Sequence, residues 1–206
     1  MNGGRFITLE GLEGAGKTSR AGELKAFLER HGKRVLLTRE PGGTALGERL
    51  RELLLAPTAD PMAPLTELLL MFAARSEHVT QVILPALAAG QWVLCDRYVD
   101  ASYAYQGGGR GLGEAPVAAL EALLPARARP DLTLLLDLPV EVGLARAKGR
   151  GPADRFEQET LAFHQRVRDA YLARAQRQPQ RYRIIDASAD PGTVRRAIEA
   201  AVEPLL

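Results

Sequence analysis

The chain has 206 residues, 46% of them hydrophobic, which is enough to bury one sizeable core and gives no composition of the disordered kind. Twenty-seven basic residues nearly balance 25 acidic ones, for a net charge of +2, so neither a nucleic-acid partner nor a membrane partner is expected from composition. The lone Cys95 excludes a disulfide within the chain, and Met1 to Gly4 carries no charged and apolar leader, so a cytoplasmic location is expected.

Reading from the N-terminus, Arg5 to Glu10 is an apolar run of strand type. Directly behind it, Gly11-Leu12-Glu13-Gly14-Ala15-Gly16-Lys17-Thr18 fits G-x-x-x-x-G-K-[ST], and the helical pattern Lys17 to His31 follows. A strand, this spacing and a helix together define a phosphate-binding loop. Its glycines let successive N–H groups point inward at phosphate oxygens, and the helix adds the positive end of its dipole. Lys17 is placed to reach the β- and γ-phosphates of ATP, and Thr18 to bind Mg2+.

A second strand, Arg34 to Thr38, leads into the polar turn Arg39-Glu40-Pro41-Gly42-Gly43-Thr44, a helix over Ala45 to Leu55 and a loop over Pro57 to Pro64. A long helical pattern runs from Pro64 to Ala88, followed by a third strand, Trp92 to Cys95, which ends in Asp96-Arg97-Tyr98. Helix Glu114 to Leu123, strand Leu132 to Leu138, helix Glu141 to Lys148, helix Asp154 to Gln178, strand Tyr182 to Asp186 and helix Pro191 to Val202 complete the series. Mostly apolar strands alternating with helices predict an α/β fold, a five-stranded parallel sheet with helices on both faces, as one domain over residues 1–206.

Ligands of such sheets bind at the carboxyl ends of the strands. Two strand-end carboxylates, Asp96 and Asp137, compete to hold Mg2+ through water opposite Thr18. Asp96 is favoured because Arg97 beside it can hold a phosphate, whereas Asp137 can equally cap the next helix. The glycine-rich, basic stretch from Arg146 to Arg155 suits a lid that delivers an arginine to the transferring phosphoryl group, a contribution of roughly 10³ to 10⁵ in rate. Arg146, Lys148 and Arg150 are its candidates. No Asn-Lys-x-Asp run supports a GTPase-type switch, and 5% aromatic residues give no tracking surface for a nucleic-acid motor. His31, His78 and His164 lack metal-ligand spacing and read as structural.

The run Phe6 to Thr18, the turn Arg39-Glu40-Pro41-Gly42-Gly43, Asp96-Arg97-Tyr98 with Ala104-Tyr105-Gln106-Gly107-Gly108, and Asp154-Arg155-Phe156-Glu157 together resemble bacterial thymidylate kinases, in the family's order and over nearly the whole chain. The resemblance implies a P-loop NTPase fold of nucleoside monophosphate kinase type, Mg2+-dependent transfer of the γ-phosphoryl of ATP to dTMP giving dTDP for dTTP biosynthesis, and a homodimer. A kinase for another nucleoside monophosphate or a deoxynucleoside is the alternative.

Carried over by position, the resemblance assigns ATP to residues 11–18 and to the segment holding Ala187 and Ser188, and catalysis to Lys17, Arg97, Arg146 and Arg150. Glu13 would meet the sugar 3′-hydroxyl. Arg51 and Arg97 would hold the acceptor phosphate, Arg75, Ser102 and Gln106 the thymine, and Tyr105 would lie under the deoxyribose. The family's stacking Phe stands four residues before the base-binding arginine. That position is Met71 here, with Phe72 three before, and Phe72 is the expected stacking residue because both offsets share nearly one helix face.

Overall fold

The computed structural model describes residues 3–57, 61–148 and 154–206. Its five strands are β1 (Phe6–Glu10), β2 (Val35–Arg39), β3 (Trp92–Asp96), β4 (Leu132–Asp137) and β5 (Tyr182–Asp186), all parallel, in the order β2-β3-β1-β4-β5. Every residue of central β1 is buried, whereas Leu37 on edge strand β2 and Ile184 on edge strand β5 are exposed. Side chains alternate across the sheet, so one strand feeds two cores. Ile7 and Leu9 join one core with Leu24 and Leu28, while Phe6, Val93 and Cys95 join another with Leu68 and Ile83. This two-sided burial is why the strands read as near-continuous apolar runs.

The helices are α1 (Lys17–Arg30), α2 (Ala45–Leu55), α3 (Pro64–His78), α4 (Leu84–Ala88), α5 (Val99–Ser102), α6 (Glu114–Glu121), α7 (Val140–Ala147), α8 (Leu161–Arg177) and α9 (Pro191–Val202). Thr44, Thr160 and Asp190 cap α2, α8 and α9 by accepting from N–H groups of the first turn. Three expectations change. The pattern from Pro64 to Ala88 is helical throughout but widens into a π-helical turn over Val79–Ile83, where the Leu84 N–H donates to the Val79 carbonyl. Pro85 has no N–H and its ring crowds the carbonyl of residue 81, so a wider turn just ahead of it relieves the helix.

The helix expected from Asp154 begins only at Leu161, because the Asp154 carboxylate caps a separate turn by accepting from the N–H groups of Phe156 (2.8 Å) and Glu157 (2.9 Å). A further helix, unexpected from sequence, starts at α5 and continues as a π-helical stretch over Tyr103–Gly109. It packs on α8, so closely that a Cβ on Gly108 would fall 2.7 Å from the Ala170 Cβ and one on Gly109 would fall 2.6 Å from the Phe163 ring. Among the described residues, no helix is long and apolar enough to cross a membrane.

Candidate active site

The loops after β1 and β3 open side by side, because β1 and β3 are hydrogen-bonded neighbours. Residues 11–16 turn through glycines in left-handed conformations, Gly14 at φ 74° and Gly16 at φ 83°. Gly14 has a second constraint, since a Cβ there would sit 2.0 Å from the Gly143 carbonyl oxygen on α7. Helix α1 begins with no side-chain cap and no acidic residue in its first turn, so its free N–H groups and dipole are left for an anion. Lys17 lies back across the loop, its Nζ donating to the carbonyls of Gly11 (3.1 Å) and Leu12 (2.8 Å). Burial, and then the neighbouring Arg97, bring its pKa down to about 8.

From β3, Asp96 meets Thr18, whose Oγ1 donates to Oδ2 at 2.8 Å. Asp137 stands apart: it neither meets Thr18 nor caps α7, but pairs with Arg168 of α8 at 2.8 and 2.9 Å. Arg97 is the only non-glycine residue with positive φ, 66°, among the described residues. Such strain persists where surroundings over-determine it. Here the Arg97 N–H donates to the Leu9 carbonyl, Nη1 to the Gly11 carbonyl at 2.9 Å and Nη2 to Glu13 Oε1 at 2.8 Å. The Tyr105 hydroxyl also donates to Glu13 and its ring lies under the Arg97 guanidinium. Burial would raise the Glu13 pKa, but Arg97 and Lys17 outweigh it and hold the carboxyl below its usual value.

Across the cleft, α3 carries Arg75, buried and with each guanidinium nitrogen engaged once: Nε donates to Glu40 Oε2 (2.7 Å), Nη1 to Ser102 Oγ (3.0 Å) and Nη2 to the Tyr98 carbonyl (3.0 Å). Gln106 donates through Nε2 to Glu67 at 2.7 Å. Arg51 donates to the Pro41 carbonyl, and burial together with nearby Arg39 lowers its pKa. One cleft is therefore lined by Glu13, Gly14, Gly16, Lys17, Thr18, Arg51, Arg75, Asp96, Arg97, Ser102, Tyr105 and Gln106.

Phe72 is not on it. Its ring packs in the core with Leu68 and Val99, under the Arg75 guanidinium at 4.5 Å, and Met71 lines the cleft instead. The side of α3 that carries Phe72 faces the core it shares with Leu68, Val79 and Val99. Arg146 is drawn to the loop after β5, where its Nη1 donates to the Ala187 carbonyl at 2.8 Å; neither it nor Ala187 and Ser188 lines the cleft. Arg150, with residues 149–153, lies outside the described residues. Arg155 just beyond is anchored, donating to the Leu54 carbonyl (2.9 Å) and to Glu67 (2.6 Å).

Several supporting groups escaped sequence reasoning. Glu10, at the end of β1, accepts from the Tyr98 N–H and the Tyr171 hydroxyl, both at 2.7 Å, and so fixes the turn after β3; burial and Asp100 raise its pKa to about 8. Glu67 is wholly buried and takes Gln106, Arg110 and Arg155. A carboxylate inside an apolar run was the available signal for Glu10, and the Glu67 position in α3 offered none.

A phosphate loop on a five-stranded parallel sheet, facing a second set of arginines across one cleft, defines a P-loop kinase of the nucleoside monophosphate class. The thymidylate kinase family model matches residues 9–198. The chain is 60% identical over 203 residues to a thymidylate kinase of Pseudomonas entomophila (strain L48), covering 98% of this chain and 97% of that one, and 62% identical over 197 residues to one of Pseudomonas putida (strain GB-1), covering 96% and 94%. The crystal structure of thymidylate kinase from Ehrlichia chaffeensis is similar with a TM-score of 0.80 at 33% identity, covering 98% of this chain and 99% of that one. The chain belongs to the thymidylate kinase family.

Proposed function

We propose that this protein transfers the γ-phosphoryl group of ATP to dTMP, giving dTDP and ADP. The observation that carries the reading is the facing of two stations across one cleft: Lys17, Thr18 and Asp96 on one wall, and Arg75, Ser102 and Gln106 on the other, with Arg97 and Glu13 between them. The first binds the triphosphate of the donor through backbone N–H groups and Lys17. The second reads the base, and Arg51 and Arg97 hold the acceptor phosphate in line.

That acceptor already carries negative oxygen near neutral pH, so no side chain has to remove a proton from it. Catalysis is then positioning and charge neutralisation. Lys17 and Arg97 neutralise charge, and Arg150 adds to them. Thr18 Oγ1 and Asp96 Oδ2, hard oxygens 2.8 Å apart, fit Mg2+, which is held by few protein ligands together with phosphates. Held there, Mg2+ would supply positive charge to offset that of the donor phosphates. Glu13 accepts from the sugar 3′-hydroxyl, and Tyr105 crowds a 2′-hydroxyl. The base stacks on the Met71 side of α3, while Ala187 and Ser188 meet adenine. Exposed Leu46, Leu53, Leu65 and Leu69 on α2 and α3 support a homodimer. The reaction is placed in the cytoplasm.

Coupled ADP release measured across nucleoside monophosphates tests the assignment. Turnover with dTMP far above AMP, GMP and CMP is expected; turnover with AMP and none with dTMP would overturn it.

A further inference from the structure

His78 ends α3, is wholly buried, and has both ring nitrogens engaged. Its Nδ1 lies 2.9 Å from Glu40 Oε1 and its Nε2 lies 2.7 Å from Thr38 Oγ1. A carboxylate oxygen accepts, so Nδ1 is the donor to Glu40, while Nε2 makes the ring's second contact with the Thr38 hydroxyl. The other Glu40 oxygen accepts from Arg75 Nε, and the remaining Arg75 nitrogens reach Ser102 and the Tyr98 carbonyl. Four side chains thus form one ordered row from edge strand β2 to the cleft: Thr38, His78, Glu40, Arg75.

Two further observations show that the imidazole is held in place. Gly43, with φ 80°, closes over it so tightly that a Cβ there would fall 2.6 Å from both Cδ2 and Nε2 of the ring. The π-helical turn begins at Val79, the next residue, and such wide turns occur often at functional sites. The turn after β2 and the end of α3 therefore grip one ring between them.

The geometry points to His78 as a positioning residue for recognition of the acceptor base, acting through Glu40 on Arg75. This rests on the reading that Arg75 contacts the base. With His78 donating to Oε1, only Oε2 is left for Arg75, so the arginine meets Glu40 through Nε alone and keeps both Nη atoms for Ser102, Tyr98 and the base. Without that donor, Oε1 is a buried, unpaired carboxylate oxygen. Arg75 already donates to the other oxygen of the same carboxylate, and Glu40 draws it into a two-pronged pair that turns the Nη atoms away from the cleft.

The test is steady-state kinetics with dTMP and ATP varied in turn, on His78→Asn, His78→Leu and Arg75→Lys, with circular dichroism and thermal melting to confirm folding. An asparagine amide nitrogen overlies imidazole Nδ1 and can still donate to Glu40; leucine fills similar space without a donor. His78→Leu is expected to raise KM for dTMP roughly tenfold or more, the loss set by an unpaired buried acceptor, with KM for ATP within about twofold, and His78→Asn to recover most of it. An unmoved KM for dTMP in His78→Leu, an equal loss in His78→Asn, or a parallel rise in KM for ATP overturns the inference. If His78→Leu does not fold, His78→Gln replaces it, since its longer amide reaches Thr38 rather than Glu40; equal KM values for the Asn and Gln variants then overturn the inference. Arg75→Lys separates the two levels. If it leaves KM for dTMP unchanged, the base reading of Arg75 itself fails; if it raises KM while the His78 variants do not, only the role of His78 fails.

Discussion

The hydroxyl of Tyr105 bridges both carboxylate oxygens of Glu13, at 2.7 and 2.8 Å, while Arg97 holds the first of them from the other side. Glu13 is thereby fixed in one orientation at the junction of donor loop and acceptor cleft. Tyr105→Phe keeps the ring and removes one hydrogen bond to a charged group, about 1.5–3 kcal/mol. A loss of about 10- to 100-fold in kcat/KM for dTMP is expected, with KM for ATP little changed. The loss should shrink when 3′-deoxythymidine monophosphate replaces dTMP, because the oriented carboxylate then has no hydroxyl to meet; an equal loss with both acceptors removes the 3′ contact.

Lys17 gives nucleotide binding a pH dependence. Burial first, then Arg97, hold its pKa at about 8, and a polyphosphate binds the charged form. ATP affinity should fall about tenfold per pH unit above that value, and binding at pH 8 to 9 should take up protons, measurable by calorimetry in buffers of different ionisation enthalpy. Stability runs the other way. The folded chain holds fewer protons at Lys17 than the unfolded chain between about 8 and the ordinary lysine value, so this contribution grows as pH rises through that window and is lost as pH falls through about 8. Lys17→Met should remove both effects.

Asp96 is hydrogen-bonded to Thr18, whereas Asp137 is paired with Arg168, so of these two carboxylates Asp96 is the one beside the loop's metal-binding hydroxyl. Asp96→Asn is expected to raise the Mg2+ concentration for half-maximal rate about tenfold, a loss of the order of one charge-assisted contact, while Asp137→Asn leaves it unchanged. A Mg2+ titration of both variants at saturating ATP and dTMP decides the matter; the reverse ranking transfers the metal to Asp137.

Glu67 joins three elements: Gln106 from the stretch after α5, Arg110 beyond it, and Arg155 at the far end of the lid segment. Removing a wholly buried carboxylate takes one partner from two arginines, which are slightly exposed and keep Glu159 (for Arg110) and the Leu54 carbonyl (for Arg155), so the low end of the range for a broken buried pair applies, about 3 kcal/mol. For a chain of this size Glu67→Ala should lower Tm by about 6–12 °C. A melting curve that does not move would show that solvent already screens the network.

The strands were legible because a sheet covered on both faces demands unbroken apolar runs, and the phosphate loop because its glycines have few substitutes. The helix from Val99 was not. Gly107-Gly108-Gly109 reads as a breaker, yet Gly108 and Gly109 are there so that α8 can approach without a side chain between, a tertiary gain that outweighs local propensity. Met71 and Phe72 could not be separated by spacing, since three and four residues before Arg75 fall on nearly one face; that Met71 lines the cleft and Phe72 the core is a matter of tertiary packing. His78 looked like a scattered helical histidine because its partners, Thr38 and Glu40, lie 40 and 38 residues away in sequence. Pairing over such distances leaves no local pattern.

Where Gly14 of the phosphate loop meets Gly143 of α7, main chain rests on main chain, and a Cβ on either glycine would collide with a backbone oxygen. A contact made through side chains can be adjusted by exchanging one for a slightly larger or smaller one. This one has no such spacer, so its separation is set by the backbone alone. Helix α7 runs on from that point towards residues 149–153. The seat of the donor phosphates and the root of the arginine-bearing segment therefore have a common, unadjustable origin. Sequence drift can alter what the segment carries, but not the point from which it starts.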